Sequence, residues 1–349
     1  MKRVLCLLLA ALATVSLTAC KDRPPVETAG TTELAPTTAP TEATVPETTA
    51  SSEPTEPPVL HTVYFWTEKR VTNTDGGSVY KRTYDEKGNR LTDTFASNDG
   101  KAGHGSSFTY DAAGNMLTHD SYDNYATGHT EFTYDAAGRK VAETFSNSEG
   151  YFATTEYIYR EDGLLAEWLF HYDKTEDQTT YTYDDKGNLL KKQEIITING
   201  KRIQETVVEY TYDGAGNKLS ETNSSGFRSE WTYDDRGNVL SSTDMDNDGS
   251  IRNGVLYEYD QQDRVVIQYL FENDPKKPTE KFIYEYDEAG KLTVKYLCTP
   301  NSSKQNASGF CRYTYDENGN LLSEVTTKKD GTEVSRTEYT YIAMELPVK

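Results

Sequence analysis

Four polar residues at alternate positions, Asp244, Asp246, Asp248 and Ser250, have the spacing of a metal-binding loop. Oxygen atoms at such positions can converge on one Ca²⁺ ion, and the glycine among them permits the sharp bend that the loop requires. Val255 stands at the twelfth position, where calcium loops usually have a bidentate glutamate. Two interpretations follow, a calcium site or a polar hairpin loop. No other cofactor is predicted.

Two of the four cysteines, Cys298 and Cys311, lie near the end of the chain. If the strands alternate regularly, both side chains point to the face shared by Leu292 and Tyr315. They can then form a disulfide across adjacent strands, which would close a loop of about 14 residues and contribute about 3 kcal/mol. The alternative is two buried free thiols, and the redox state of the compartment decides between them.

Trp168, Phe170 and Tyr172 alternate along an aromatic run and are expected to share one face of a strand. An exposed strip of this kind can stack on sugar rings, whereas a covered strip is core. The histidines are scattered without a metal spacing or a nucleophile motif: His61, His104, His119, His129 and His171. Because no catalytic constellation emerges, the protein is not expected to be an enzyme.

The first twenty residues indicate export. Lys2 and Arg3 precede an apolar stretch that is shorter than a membrane-spanning helix. The next residues, Leu17-Thr18-Ala19-Cys20, resemble the lipobox of bacterial lipoproteins. This resemblance implies removal of residues 1–19 and a lipid on Cys20, which would hold the protein on the cell membrane, facing outside the cytoplasm. An ordinary secretory signal that contains a cysteine is the alternative.

Residues 20–60 predict the lipidated cysteine followed by a disordered tether. Ten Thr and eight Pro lie between residues 21 and 60, with almost nothing that could form an apolar face. Proline-rich chain is extended, at about 3.1 Å per residue. The net charge of the whole chain is -20, so nucleic acid is not an expected partner. We expect the protein to be a monomer.

Residues 61–349 are repetitive, which predicts a single β domain. Two clear copies are YTYDDKGNLL at 181–190 and WTYDDRGNVL at 231–240. An anchoring tyrosine recurs eleven times, which predicts ten hairpin units and a closing strand. The anchoring tyrosines are Tyr84, Tyr110, Tyr134, Tyr159, Tyr183, Tyr212, Tyr233, Tyr259, Tyr286, Tyr315 and Tyr341.

Each unit has the local chemistry of a β-hairpin. An aromatic residue precedes the anchoring tyrosine by two positions in every copy except the first, which has Arg82. Asp after the tyrosine can bond the turn backbone, and Gly three positions later supplies a positive φ. An apolar residue after the turn, such as Leu91 or Leu240, is predicted to return the chain to the core. Acidic residues such as Asp93 and Glu143 follow two positions later, which requires a bulge or a strand end.

An isolated hairpin is marginally stable in water, so the units must stack. The predicted fold is therefore all-β, an elongated or spiral array of stacked antiparallel hairpins that stays open. Residues 63–66 and 339–348 are expected to cap its two ends.

The Tyr-x-Tyr-Asp-x-x-Gly-Asn-x-Leu units resemble the YD repeats of the rearrangement-hotspot family, over about residues 75–341. The resemblance implies a spiralling β-sheet ribbon. In large members the ribbon closes into a shell or serves as an extracellular interaction surface, and some members bind carbohydrate. Closed shells use far more repeats, which favours an open sheet here.

The leading hypothesis is a surface-anchored, non-enzymatic binding or adhesion lipoprotein. Its sheet would present a surface to an extracellular or cell-wall ligand, either a glycan or a protein. The alternative is a structural or assembly component of an envelope or toxin-related complex.

Overall fold

The computed structural model describes residues 60–74, 76–97, 103–123 and 125–347, all within the compact unit Pro57–Lys349. Within these residues the only helical element is a 3-10 turn, Lys304–Asn306. The strands are β1 (Leu60–Asn73), β2 (Gly76–Tyr84), β3 (Arg90–Ser97), β4 (Gly103–Tyr110), β5 (Met116–Tyr122), β6 (Thr127–Tyr134), β7 (Lys140–Asn147), β8 (Phe152–Tyr159), β9 (Leu165–Tyr172), β10 (Thr175–Tyr183), β11 (Leu189–Ile198), β12 (Lys201–Tyr212), β13 (Lys218–Asn223), β14 (Arg228–Tyr233), β15 (Val239–Met245), β16 (Ile251–Tyr259), β17 (Val265–Glu272), β18 (Pro278–Tyr286), β19 (Leu292–Cys298), β20 (Gly309–Tyr315), β21 (Leu321–Lys328) and β22 (Glu333–Pro347).

The 22 strands form one antiparallel sheet that is closed. Each strand pairs with its neighbours in sequence, and β22 pairs with β1 from Leu60↔Pro347 to Asn73↔Ser335. The prediction of an open array is therefore wrong. The segments expected to cap the two ends pair with each other, as at Trp66↔Tyr341. Closure is favourable because an open sheet would leave two rows of unpaired backbone N–H and C=O groups.

The ten predicted hairpins are confirmed as β2–β3 through β20–β21, and an aspartate organises most of their turns. In the β10–β11 turn, Asp184 Oδ1 accepts the backbone N–H groups of Lys186 and Asn188 at 2.9 and 2.8 Å. Its Oδ2 accepts the Asn188 side-chain amide at 2.8 Å. The Asn188 amide groups hold the pKa of Asp184 below its ordinary value, because they stabilise the carboxylate. The Asp184 carboxylate therefore accepts three hydrogen bonds within one turn.

The turn glycine is needed for its backbone conformation. Gly187 has a φ of 84°, which a residue with a side chain adopts only with strain. Asp263 replaces the glycine in the eighth unit and adopts a φ of 60°. Aspartate tolerates this region better than most residues do, so the turn survives the replacement.

A β-bulge follows every one of these turns. In the first hairpin, Thr83 pairs with Thr92 and Tyr84 pairs with Arg90, so Leu91 is left out of the ladder. The same shift recurs beside the anchoring tyrosine of the other nine hairpins. Leu91 is 37% exposed, and the equivalent Leu240 is 39% exposed. The prediction that these residues return the chain to the core is wrong, because the bulge turns them outward.

The bulge also explains the acidic row. After it, Asp93 pairs with Arg82 and Glu143 pairs with Phe132. These carboxylates therefore share a face with the anchoring tyrosines and the aromatic residues two positions before them, which we call the aromatic face. The opposite face carries the residue between the two aromatics, usually threonine, and we call it the threonine face.

Neighbouring hairpins are joined by the anchoring tyrosines. The ladder between β3 and β4 ends at Thr92↔Ser107, so Arg90 lies beyond the last pair. The Tyr110 hydroxyl donates to the Arg90 carbonyl oxygen at 2.8 Å. All eleven anchoring tyrosines make the equivalent bond to the preceding unit, at 2.7 to 3.0 Å. The repeat thus requires tyrosine at this position, because phenylalanine has no donor.

The closing pair of strands reproduces the geometry of a repeat hairpin without a turn. Thr340 pairs with Glu68 and Tyr341 pairs with Trp66, so Thr67 is the bulged residue. The Tyr84 hydroxyl donates to the Trp66 carbonyl at 3.0 Å, as if Trp66 followed a turn. The two end strands therefore pair in the register of an eleventh hairpin, although no turn connects them.

We expect Tyr183→Phe to lower the free energy of unfolding by about 1 kcal/mol, because the Leu165 carbonyl loses its donor. Urea unfolding of the full chain, followed by tryptophan fluorescence, measures the change. Tyr125→Phe is the matched control, since Tyr125 is 89% exposed. Equal stability of the two variants would contradict the structural role of the hydroxyl.

Candidate functional site

Cations are inserted regularly between the rings of the aromatic face. Lys218 Nζ lies 4.0 Å from the Trp231 ring centroid and 5.9 Å from that of Tyr210. Its charge is neutralised by Glu221, whose Oε2 is 2.8 Å away. Lys140 is placed in the same way and is paired with Glu143 at 2.7 Å. In each of these two units, one lysine forms an ion pair with one glutamate.

The first unit departs from this arrangement. Arg82 occupies the position of the missing aromatic, and its guanidinium carbon lies 3.8 Å from the Trp66 ring centroid. Arg90 lies 4.5 Å from the Phe108 ring centroid. Arg82 Nε and Arg90 Nη1 both donate to Asp93 Oδ2, each at 3.0 Å. Two guanidinium groups therefore share one carboxylate oxygen.

Two histidines complete this region. The His104 ring stacks on Phe95 with a centroid distance of 4.6 Å. The His119 ring stacks on Phe108 at 4.8 Å, and its Nε2 lies 2.8 Å from Ser106 Oγ. Burial and the nearby Arg90 guanidinium lower the pKa of His119 below its ordinary value. Both effects favour the neutral imidazole over the charged form.

These side chains line an open cleft of about 730 Å³ on strands β1 to β5. We call it the Arg82 cleft and define it by Trp66, Arg82, Arg90, Asp93, His104 and His119. It combines flat aromatic walls with surplus positive charge, which suits an anionic ligand. The sequence analysis did not identify it. The one visible signal was Arg82, the single exception in the aromatic series.

The predicted aromatic strip is present on the aromatic face. Trp168 and Phe170 are nearly parallel, with an interplanar angle of 5° and centroids 5.9 Å apart. Tyr172 stacks on Tyr151 at 4.0 Å. All three strip residues are half-buried. The strip is thus neither fully covered nor freely exposed.

Asp177 lies beside this strip and was not recognised from the sequence. Its Cα pairs with that of Phe170 on one side and Ile196 on the other. Asp177 is 7% exposed, and its Oδ1 has no hydrogen-bond partner in the described part of the chain. Burial, reinforced by Glu194 and opposed by Lys192, raises the pKa of Asp177 to about 6.

The four residues of the proposed calcium loop do not converge. Asp244 accepts a hydrogen bond from Ser229 Oγ at 2.6 Å, and Asp246 forms an ion pair with Arg252. Asp248 accepts both the backbone N–H and the hydroxyl of Ser250, at 2.9 and 2.6 Å. Among the described residues, no group of three or more His, Cys, Asp or Glu side chains could hold a metal. The geometry favours the polar hairpin loop over the calcium site.

Cys298 and Cys311 are free thiols on opposite faces of the sheet. Cys311 pairs with Lys295, and therefore lies on the aromatic face with Tyr313. The bulge at the start of β19 moves Cys298 to the threonine face, where it is buried. The two cysteines do not share a face as expected, because the bulge reversed the alternation, and this geometry favours the alternative of two free thiols.

Cys20 and the tether of residues 20–60, apart from Leu60, lie outside the described residues. In the part of the chain that the structure does describe, no helix has the length and apolar character needed to cross a membrane.

Residues 120–274 match the family model of the teneurin YD-shell. This match agrees with the ten hairpins and their recurring turn chemistry, and together they show that the described chain is built of YD repeats. No curated protein matches the chain in sequence.

Several solved structures are similar to this chain, including the following two. The TcdB2-TccC3-Cdc42 crystal structure is 17% identical in sequence, with a TM-score of 0.42. The match covers 76% of this chain and 15% of the other chain. A porin-like protein from Bacteroides uniformis shares 11% identity, covering 79% of this chain and 98% of its own, with a TM-score of 0.27. The chain thus spans about 15% of the length of the TcdB2-TccC3-Cdc42 chain that it matches. The assignment rests on the repeats and the family match.

We expect Asp177→Asn to stabilise the protein above pH 6. The folded-state pKa of Asp177, about 6, exceeds the ordinary value of 3.8, so the native state favours the protonated acid. Its contribution to stability is therefore full below pH 4 and is lost as the pH rises to about 6. A shift of this size corresponds to at most about 3 kcal/mol.

Urea unfolding at pH 4, 5, 6 and 8 measures this effect. The advantage of Asp177→Asn over the wild type should grow as the pH rises from 4 through 6 and should be complete at pH 8. Asp185→Asn, at an exposed turn position, is the control and should follow the wild-type profile. An advantage that does not change with pH would show that ionisation of Asp177 does not destabilise the folded protein.

Proposed function

We propose that this protein is a structural or assembly component of the cell envelope, in which a closed YD-repeat body is carried on a lipid-anchored tether. The observation that supports the proposal most strongly is the pairing of β22 with β1 in the register of a repeat hairpin. A closed sheet offers no edge for strand addition. Partners would therefore contact its faces and turns, as suits a rigid building block.

In this proposal the protein catalyses no reaction. The lipid on Cys20 would hold the body at the membrane, outside the cytoplasm, and residues 20–60 would set its distance from the lipid. The model that matches residues 120–274 is named for a shell, which agrees with a building role. These features support a structural role better than the adhesion hypothesis of the sequence analysis.

A dose experiment separates a structural role from an enzymatic one, because a building block acts stoichiometrically. Native electrophoresis of detergent-solubilised envelopes should place the chain in a discrete complex heavier than its own 39.2 kDa. The amount of this complex should fall in proportion as expression is reduced. Cys20→Ala should release the chain from the membrane.

The matched variant for the closed sheet is Tyr341→Phe, which removes the hydrogen bond that joins the closing pair of strands to Leu321 of the tenth hairpin and leaves the anchor unchanged. It should lower the amount of complex more than Tyr125→Phe does. The proposal would be contradicted by a chain that runs only as a monomer. It would also be contradicted by an envelope phenotype that is fully rescued at about a hundredth of the native level, as for a catalyst.

A second candidate function is ligand binding, including glycan binding, by the strip of Trp168, Phe170 and Tyr172. The nearly parallel Trp168 and Phe170 rings favour it, since such rings can stack against a sugar. The full chain should then retain glycans on an array, and Trp168→Ala should reduce retention at least tenfold. Trp231→Ala, which removes an indole elsewhere on the same face, is the control. No retention by the wild type would exclude this candidate.

A further inference from the structure

We propose that the Arg82 cleft binds a small ligand through a carboxylate or phosphate group, with an apolar or ring-shaped part of the ligand resting on its aromatic walls. This proposal is independent of the structural role above. It rests on the charges, the hydrogen-bond donors and the shape of the cleft.

The two guanidinium groups have more donors than the protein uses. Each guanidinium carries five N–H groups in a planar fork. Asp93 Oδ2 accepts from Arg82 Nε and from Arg90 Nη1, and a single carboxylate has about four acceptor sites for ten N–H groups. Paired guanidinium forks bind planar carboxylates and phosphates through two parallel hydrogen bonds. An oxyanion can therefore join Asp93 as a second acceptor.

The aromatic rings hold these donors in place. The Trp66 ring lies under Arg82 and the Phe108 ring lies under Arg90. A guanidinium that lies over a ring face is held by the ring, while its N–H groups point outward in the guanidinium's own plane and can donate sideways. The loss of side-chain freedom on binding is then small, which favours affinity.

This cleft has a local charge opposite in sign to the net charge of the chain. Lys69, Arg82 and Arg90 line it with only one carboxylate, Asp93, whereas the whole chain carries a net charge of -20. The overall charge repels polyanions, so a small anion is the better ligand. A cleft of about 730 Å³ has the size of sites for small molecules.

The other repeats provide an internal comparison. Lys140 and Lys218 occupy the position equivalent to Arg90 in their units, and each has its own glutamate, at 2.7 and 2.8 Å. No positive charge is left over there. The surplus in the first unit arises because Arg82 stands where ten other strands have an aromatic residue.

Arg82→Tyr is the sharpest variant, since it restores the residue type of the other repeats and removes one positive charge. The probes are inorganic phosphate, benzoate and glucuronate, with glucose as the neutral counterpart. Calorimetry on the full chain at low salt should show saturable binding of phosphate or of the carboxylates. Arg82→Tyr should weaken that binding at least tenfold while its urea unfolding midpoint stays near the wild-type value. Binding of phosphate alone would identify a phosphate ligand, and binding of the carboxylates alone an acid.

Lys218→Gln is the control variant and should leave binding unchanged. An independent readout is the pKa of His119, followed by the NMR shift of its ring proton, which should rise when an anion occupies the cleft. The proposal is overturned if none of the three anions binds saturably or if glucose binds equally well. Equal weakening by Arg82→Tyr and Lys218→Gln, or a His119 pKa that does not respond to the bound anion, would also overturn it.

Discussion

The hydrogen bond from each anchoring tyrosine to the carbonyl of the preceding unit is the interaction on which the rest of the structure depends. Neighbouring hairpins separate before they reach their turns, as at Thr92↔Ser107, and this separation leaves a carbonyl without a ladder partner. The tyrosine ring fills the gap and its hydroxyl satisfies that carbonyl, as Tyr110 does for Arg90. No unit is therefore complete without the next one, which makes the array cooperative between neighbours.

In an open array, the first unit would have no preceding carbonyl for its tyrosine and the last strand would have no pairing partner. Closure of the sheet supplies both. Trp66 offers the carbonyl that Tyr84 needs, and Tyr341 pairs with Trp66 around a bulge at Thr67. The end strands thus have the register of a repeat although no turn connects them. Trp66 lies beyond the β1–β2 ladder, which ends at Glu68↔Lys81, and closure holds it through its pairing with Tyr341. In that position Trp66 supplies a wall of the Arg82 cleft. The proposed anion site therefore depends on the closed sheet.

Local chemistry made much of this fold predictable. The Asp-x-x-Gly-Asn turns, the ten hairpins and the aromatic series all follow from residues within one unit. A bulge after each turn was one of two alternatives that the acidic row left open, and its effect on the residues beyond it was not predicted. It reverses the alternation after each turn. Leu91 is therefore exposed, and Cys298 and Cys311 lie on opposite faces. Closure was missed because it joins residues more than 260 positions apart, from Asn73↔Ser335 to Leu60↔Pro347, and no local pattern reports such a pairing.

The candidate sites were predictable only in part, because local patterns do not report contacts between distant strands. The strip of Trp168, Phe170 and Tyr172 lies within one strand, so strand alternation was enough to find it. The Arg82 cleft combines five strands. His104 and His119 looked scattered because their proximity to Arg90 depends on the register between hairpins. The Asp244 loop has calcium-like spacing, yet Asp246 forms an ion pair with Arg252 and Asp244 accepts a hydrogen bond from Ser229.

The closure of the sheet is tested most directly by a disulfide between its two end strands. Thr62 and Glu345 are Cα partners, and their side chains are in contact. The variant Thr62→Cys/Glu345→Cys should form a disulfide under mild oxidation, detected as a linked peptide by mass spectrometry. Thr232→Cys/Ser241→Cys, placed across one hairpin where the native hydroxyls are 2.6 Å apart, is the positive control. A closed sheet predicts that both pairs link with similar yield; linkage of the hairpin pair alone would contradict the account.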